Sequence, residues 1–281
     1  MVDTFIKMQW IVFVALGMCF TISPALAKGT PVPDYFSSDL LSNAEKSVFA
    51  DKAEDLHLAQ NKSYSSAQTE RTALLNLRGK TKLDSNYFKG IFSDVGYALT
   101  SPLRWDSSDW GTASIVAGVT GGLFLLDDEI KNAFQNNRSS TTDDVSKIFE
   151  HFGNGAVAFP ALAGFYLYGR FGKYEKIERT ALLATEGFLV TGLFSTVLKV
   201  ATGRPRPFKG GSSSTFDGFS TSSNSFPSGH TSTIFAIATV VANEYDNVPL
   251  VAPISYGIAT LTGLSRINDN KHWASDVFFA A

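Results

Sequence analysis

Beyond Trp110 the chain alternates apolar segments of helical length with short polar breaks. The segments run from Ala113 to Leu126, Ala156 to Tyr168, Ala181 to Val200, Thr231 to Ala242 and Val248 to Leu264, and a sixth begins at Trp273. Proline and glycine occur at their ends, and their interiors lack the strict alternation of strands. The pattern predicts an all-α fold, a six-helix bundle whose last helix is truncated at Ala281. So short a helix is not stable alone. It is expected either to belong to a longer chain or to be held by packing.

The first 110 residues read differently. Lys7, an apolar run from Trp10 to Ile22 and Ala25-Leu26-Ala27 give the three-part pattern of a secretory signal over 1–27, with an uncleaved N-terminal anchor as the alternative. Residues 28–110 are charged and helix-prone but too poor in apolar positions for a core of their own. Ser42 and Glu45 fit a capping box, so this region is expected to be a partly helical arm. Trp105 and Trp110 flank Asp106 and Asp109, which suits packing on the bundle or a lipid-facing belt. The domain proper is then 111–281.

Composition narrows the chemistry. A formal net charge of -2 gives no reason to expect a nucleic-acid partner. Cys19 is the single cysteine and lies inside the leader, so disulfides, thiolate catalysis and cysteine-ligated metals are excluded from a mature chain. The acidic groups Asp127-Asp128-Glu129 and Asp143-Asp144 resemble metal ligands, but at a helix end and in a polar loop they are expected to be solvated or capping. His57 is expected at the surface, and His151 in a structural or surface role.

The remaining ionisable residues gather where apolar segments end. Lys199 closes the third segment. Pro205 and Pro207 hold Arg206 in extended backbone and aim its guanidinium away from the helix. Pro227-Ser228-Gly229-His230 opens the fourth segment, where unpaired backbone donors and a glycine make an anion site. Arg266 follows the fifth, and His272 stands four residues before Asp276, on one helical face. A carboxylate accepting from one imidazole nitrogen leaves the other as a lone-pair nucleophile. His230 is then free to protonate a leaving oxygen. Lys199, Arg206 and Arg266 would neutralise the oxygens of a transferring phosphoryl group.

Lys199-x6-Arg206-Pro207, Pro227-Ser-Gly-His230 and Ser265-Arg266-x5-His272-x3-Asp276 together resemble the three-part signature of the type 2 phosphatidic acid phosphatase and vanadium haloperoxidase superfamily. The resemblance covers 199–276 without a substitution at the signature positions, and it does not cover 28–110. It implies that His272 attacks phosphorus to give a phosphohistidine, that His230 protonates the leaving group and that Asp276 orients His272. It also implies that Lys199, Arg206, Ser228, Gly229 and Arg266 bind phosphate, with no metal or other cofactor. Phe226 before Pro227 leans to the lipid-phosphatase branch, hence to a phosphorylated lipid such as phosphatidate, phosphatidylglycerol phosphate or an isoprenoid diphosphate. A soluble periplasmic acid phosphatase on small monoesters, a non-catalytic anion-binding envelope protein and a haloperoxidase are the alternatives.

The resemblance implies membrane association, integral or peripheral. If every helix spans, a leader that leaves residue 28 outside puts Lys199 inside, whereas the basic loop of Arg170, Lys173, Lys176 and Arg179 puts it outside. An extracytoplasmic site is the expectation adopted. The Gly- and Ser-rich segment from Lys209 to Ser225 reads as a mobile lid or a plain linker.

Overall fold

The computed structural model describes residues 82–222 and 224–281. Among these are eight α-helices and no strand: α1 (Ser85–Thr100), α2 (Ser107–Asn136), α3 (Ser140–Gly153), α4 (Gly155–Gly172), α5 (Glu175–Thr202), α6 (Gly229–Glu244), α7 (Val251–Asn268) and α8 (Ala274–Ala280). The described residues are all-α, as the periodicity predicts, and each of the six predicted segments falls on a helix. The expected leader, His57 and the expected capping box of Ser42 and Glu45 lie outside the described residues.

Two helices, α1 and α3, are additions to the predicted six. Helix α1 is capped by Asp84, whose carboxylate accepts the N–H groups of Asn86 (2.9 Å) and Tyr87 (3.0 Å). The Tyr87 hydroxyl then donates to the Leu182 carbonyl at 2.9 Å and fastens α1 to α5. Beyond it, the rings of Trp105 and Trp110 stack edge to face with centroids 4.9 Å apart, and Trp110 remains exposed.

Helix α3 replaces the polar loop expected around Asp143-Asp144. Ser139 and Thr142 form a reciprocal capping box and Asp143 lies in the first turn, where a carboxylate complements the helix dipole. The helix is inverted in polarity. Its buried residues are Ser146 and Gly153, while Val145, Ile148 and Phe152 are exposed. Ser146 Oγ bonds the Ser265 carbonyl (3.1 Å) and Asp269 (2.6 Å), which ties α3 to the end of α7.

The same inversion recurs. Helix α2 buries Val116, Thr120 and Asp127 but exposes Ile115, Val119, Leu125 and Leu126; α5 turns Leu182 and Leu183 inward in its first half, but beyond Glu186 it buries only Ser195 and exposes Leu189, Leu193 and Val197. Helix α6 is the exception. Buried along most of its length, it is the axis on which α5 and α7 pack. Its Phe235, Ala238 and Ala242 meet Tyr256 and Ala259 of α7, and its Val240 meets Leu162 of α4 with Leu183 and Ala184 of α5.

Two chain reversals shape the site. At the end of α5, Gly203 adopts φ +56° and its N–H returns to the Lys199 carbonyl at 3.0 Å. A Cβ there would lie 2.1 Å from the Gly218 carbonyl oxygen, so only glycine fits. The segment expected to be a lid or linker is pinned back onto this turn: the N–H groups of Asp217, Ser220 and Ser225 donate to the carbonyls of Gly203, Val200 and Arg204. Helix α8, of seven residues, is held by packing. Asp276 caps its first turn by accepting the Trp273 N–H at 2.9 Å, and Ala274 through Val277 are all buried.

Candidate active site

Four helix ends converge: the C-termini of α5 and α7 and the N-termini of α6 and α8. Helix α5 delivers Lys199, whose Nζ donates to the carbonyls of Asn224 (2.9 Å), Ser225 (3.3 Å) and Pro227. The ammonium thus anchors the strand of chain that enters α6. Arg206 has the extended backbone predicted from its two prolines (φ -77°, ψ 149°), and its Nε donates to Asn224 Oδ1 at 3.0 Å.

Ser228 is the N-cap of α6, yet its side chain makes no capping bond. Its hydroxyl instead accepts from Thr231 Oγ1 at 2.8 Å, and its N–H donates to the Asp276 carbonyl at 3.0 Å, which joins α6 to α8. Gly229 lies beside the Lys199 side chain, where a Cβ on it would stand in ordinary contact, 3.7 Å from Lys199 Cε. His230 is backed by α3, where a Cβ on Gly153 would fall 2.5 Å from the His230 carbonyl oxygen.

Arg266 is nearly fully buried at the end of α7. Its Nη2 donates to Glu150 Oε2 of α3 (2.9 Å) and to Asp269 Oδ2 (2.7 Å), and its Nε donates to Ser265 Oγ (3.1 Å). Its carbonyl accepts the N–H groups of Lys271 (2.9 Å) and His272 (3.2 Å). His272 Nδ1 faces Asp276 Oδ2 at 3.5 Å, and Ser225 Oγ bonds that same carboxylate oxygen.

Burial is the main influence on both histidines. It pushes each imidazole down to about 4, with the positive charges of Arg266, Arg206 and Lys199 adding to the effect at His230, and those of Lys199 and Arg206 at His272. Asp276 opposes the drop at His272 without cancelling it. Burial alone would raise the Asp276 carboxyl, but the His272 hydrogen bond and the Arg204 charge outweigh it and hold the group below the usual carboxylate range. The arrangement favours a neutral imidazole beside an ionised carboxylate under a cluster of cations. It suits a nucleophilic nitrogen facing an anion.

The structure also brings in residues to which the sequence assigned no part. Asp127, expected to be solvated or capping, has no exposed surface and is ion-paired to Arg204 at 2.7 Å. The correction has a plain cause: it lies on the inward stripe of α2 with Thr120, not at the helix end. Asp128 accepts from Ser213 Oγ at 2.8 Å. Asp143 pairs with Arg138 at 2.6 Å and Asp144 with Lys147 at 3.0 Å, both on the surface of α3. His151 is exposed, as expected, with Nδ1 against the Lys147 carbonyl. Glu150, Ser225 and Arg204 went unassigned, although the extra arginine of Gly203-Arg204-Pro205-Arg206 was a visible signal.

The comparisons agree with the motifs. Residues 180–281 match the family model of the PAP2 superfamily. A lipid A 1-phosphatase of Porphyromonas gingivalis is 38% identical over 122 residues, which is 43% of this chain and 24% of that protein. The chain thus spans about a quarter of that relative's length. Among solved structures, the transmembrane PAP2 type phosphatidylglycerolphosphate phosphatase of Bacillus subtilis is 22% identical at a TM-score of 0.42, covering 68% of this chain and 87% of that one. LpxE of Aquifex aeolicus is 26% identical at a TM-score of 0.40, covering 56% and 88%. Residues 180–281, the part that matches the PAP2 superfamily model, hold every signature position from Lys199 to Asp276.

Proposed function

We propose that this chain is a membrane phosphatase that removes phosphate from a phosphorylated lipid on the extracytoplasmic face, through a covalent phosphohistidine at His272. The observation that carries the reading is the meeting of a neutral, buried, carboxylate-paired His272 with Lys199, Arg206 and Arg266 at the uncapped N-terminus of α6.

The steps follow from the geometry. The phosphoryl group sits among the three cations, the Ser228 hydroxyl and the Gly229 N–H, which offset the charge on its oxygens. His272 Nε2 attacks phosphorus while Nδ1–H stays on Asp276, and the bond from phosphorus to the ester oxygen breaks. His230 gives its proton to that oxygen. Although burial holds His230 near 4, a phosphate dianion beside it raises its proton affinity and loads it for this step. Water then attacks the phosphohistidine with His230 as base, which returns His272 and releases inorganic phosphate. No step calls on a metal.

A lipid substrate and a membrane setting are supported by the inverted helices. Small and polar residues at helix contacts with large apolar ones outward are the packing expected where the surroundings are hydrocarbon. The stretches Ser107–Asn136 and Glu175–Lys209 are long and apolar enough to cross a bilayer. Lys176 and Lys199 lie at opposite ends of α5, about 35 Å apart at 1.5 Å per residue. With the basic α4–α5 junction (Arg170, Lys173, Lys176 and Arg179) in the cytoplasm, the site at the other end of α5 faces outward. The Porphyromonas gingivalis relative adds lipid A to phosphatidate, phosphatidylglycerol phosphate and isoprenoid diphosphates as substrates to test.

The test is release of inorganic phosphate from these lipids in detergent, with EDTA present and p-nitrophenyl phosphate as the soluble comparison. Turnover of at least one lipid well above the soluble ester is expected. Equal turnover of both would favour a soluble-type acid phosphatase, and binding of phosphate without turnover on any ester would contradict the enzymatic reading.

A further inference from the structure

Behind the His272–Asp276 pair lies a second, fully buried ionic cluster that touches no position a phosphate would occupy. Arg204 has no exposed surface. Its Nη1 donates to Asp276 Oδ1 (2.6 Å) and Ser275 Oγ (2.7 Å), and its Nη2 to Asp127 Oδ2 (2.7 Å). Its Nε donates to the Ser213 carbonyl at 2.9 Å, and Nη2 reaches that oxygen too. The guanidinium carbon lies 4.4 Å from the centre of the Phe124 ring, with Trp273 and Phe216 at 5.3 and 5.5 Å. Asp127 is fixed in turn by the Ser275 N–H on Oδ1 (2.9 Å) and by the Ser275 hydroxyl on Oδ2.

We propose that Arg204, braced by Asp127, is a positioning residue for the nucleophile: it occupies Asp276 Oδ1 and leaves Oδ2 alone to face the imidazole of His272. This rests on the reading of His272 as the nucleophile. Held at Oδ2 alone, by the Ser225 hydroxyl and the Trp273 N–H, the carboxylate could pivot about that oxygen, and the imidazole it holds would pivot with it. The planar fork of an arginine that meets two carboxylates at once fixes both planes. An ammonium has no such fork.

Charge favours the same role. Asp127, Arg204 and Asp276 sum to one negative charge in a dry setting, and the imidazolium formed when His272 bonds to phosphorus brings it to zero. Buried ionic groups that lack full pairing are costly, so the cluster's negative charge favours an imidazolium at His272, although Lys199 and Arg206 also face Asp276 and share in its compensation. Helix α2, which contributes no phosphate ligand, thereby takes part in setting the geometry of the nucleophile on α8.

The test uses the full chain in detergent with two variants. Arg204→Lys keeps the charge and loses the fork; Ser275→Ala keeps every charge and removes the hydroxyl that links Arg204 to Asp127. Two quantities are read: kcat and KM on whichever lipid phosphate the wild type hydrolyses, and the tautomer of His272 by nitrogen-15 NMR, assigned by its loss in His272→Gln. The wild type is expected to show one tautomer, with the proton on Nδ1. Arg204→Lys is expected to lower kcat roughly 10–100-fold, as loss of an orienting partner does elsewhere, with KM within about 3-fold and His272 in mixed tautomers. Ser275→Ala moves both quantities the same way by less, and decides the matter if Arg204→Lys does not fold. A His272 tautomer unchanged in the folded variants overturns the proposal. Absence of turnover in the wild type overturns the phosphatase reading instead, and the tautomer measurement still decides the role of Arg204.

Discussion

The Arg266 carbonyl accepts the backbone N–H of His272 at 3.2 Å, so the arginine that ends α7 and the histidine that precedes α8 share one turn of chain and move together. The cation proposed to hold phosphate and the nitrogen proposed to attack it are spaced by backbone, not by side-chain flexibility. Arg266 meanwhile has its Nη2 committed to Glu150 and Asp269. A bound phosphate therefore competes with two carboxylates. Glu150→Gln is expected to tighten inhibition by inorganic phosphate by about 3-fold, since one exposed charge partner is worth less than 1 kcal/mol. Unchanged or weaker inhibition would show that Glu150 does not oppose the anion.

Glycine at 153 is set by the approach of His230. Gly153→Ala places a methyl 2.5 Å from the His230 carbonyl oxygen, and α6 must shift to admit it. A misplacement of the order of 1 Å costs roughly 100-fold in rate, and kcat of Gly153→Ala is expected to fall by that order. Gly118→Ala, in open space on α2, should leave kcat unchanged and raise stability by up to about 1 kcal/mol. Equal effects of the two on kcat would contradict the close fit of α3 against His230.

The histidines give stability a sign with pH. Both are held near 4 in the fold and titrate near 6.5 when unfolded. Between these values the unfolded chain binds more protons, so their contribution is complete above about 6.5 and is lost as pH falls toward 4. The thermal midpoint in detergent should drop over that window, and the drop should shrink in the His230→Asn, His272→Gln double variant. A flat profile from 6.5 to 4 in the wild type would contradict the buried, neutral state of these rings.

Gly203→Ala is a test of the turn that aligns Lys199 with Arg204. The substitution meets both a left-handed φ and a carbonyl oxygen 2.1 Å from the new carbon. Destabilisation above about 1 kcal/mol is expected, read as a lowered thermal midpoint. A midpoint equal to that of the wild type would mean that the turn relaxes freely.

Much of the site was legible because its residues stand at helix borders, where sequence shows both the residue and the break. Arg206 between two prolines had one backbone conformation open to it. His272 and Asp276 do face each other, but across the turn that precedes α8 and not along one helical face as their spacing predicts. What was hidden lies across long separations: Arg204 meets Asp127 at 77 residues and Asp276 at 72, and no local pattern pairs them. Helix α3 was hidden for another reason. It buries serine and glycine and exposes valine, isoleucine and phenylalanine, so its inward face has no apolar stripe to read. The segment from 209 to 225 has the composition of a linker, but its hold comes from carbonyls at the end of α5 that composition does not reveal.

Formation of a phosphohistidine tests the central claim most directly. A phosphorus-32-labelled lipid phosphate that the wild type turns over is mixed with the full chain, and the reaction is stopped within milliseconds by alkaline denaturant. The predicted result is label on the protein, stable to base, lost in acid, mapped to His272 and absent from His272→Ala. Undiminished turnover by His272→Ala, or no label in the wild type during steady hydrolysis under conditions that slow the second step, would contradict it.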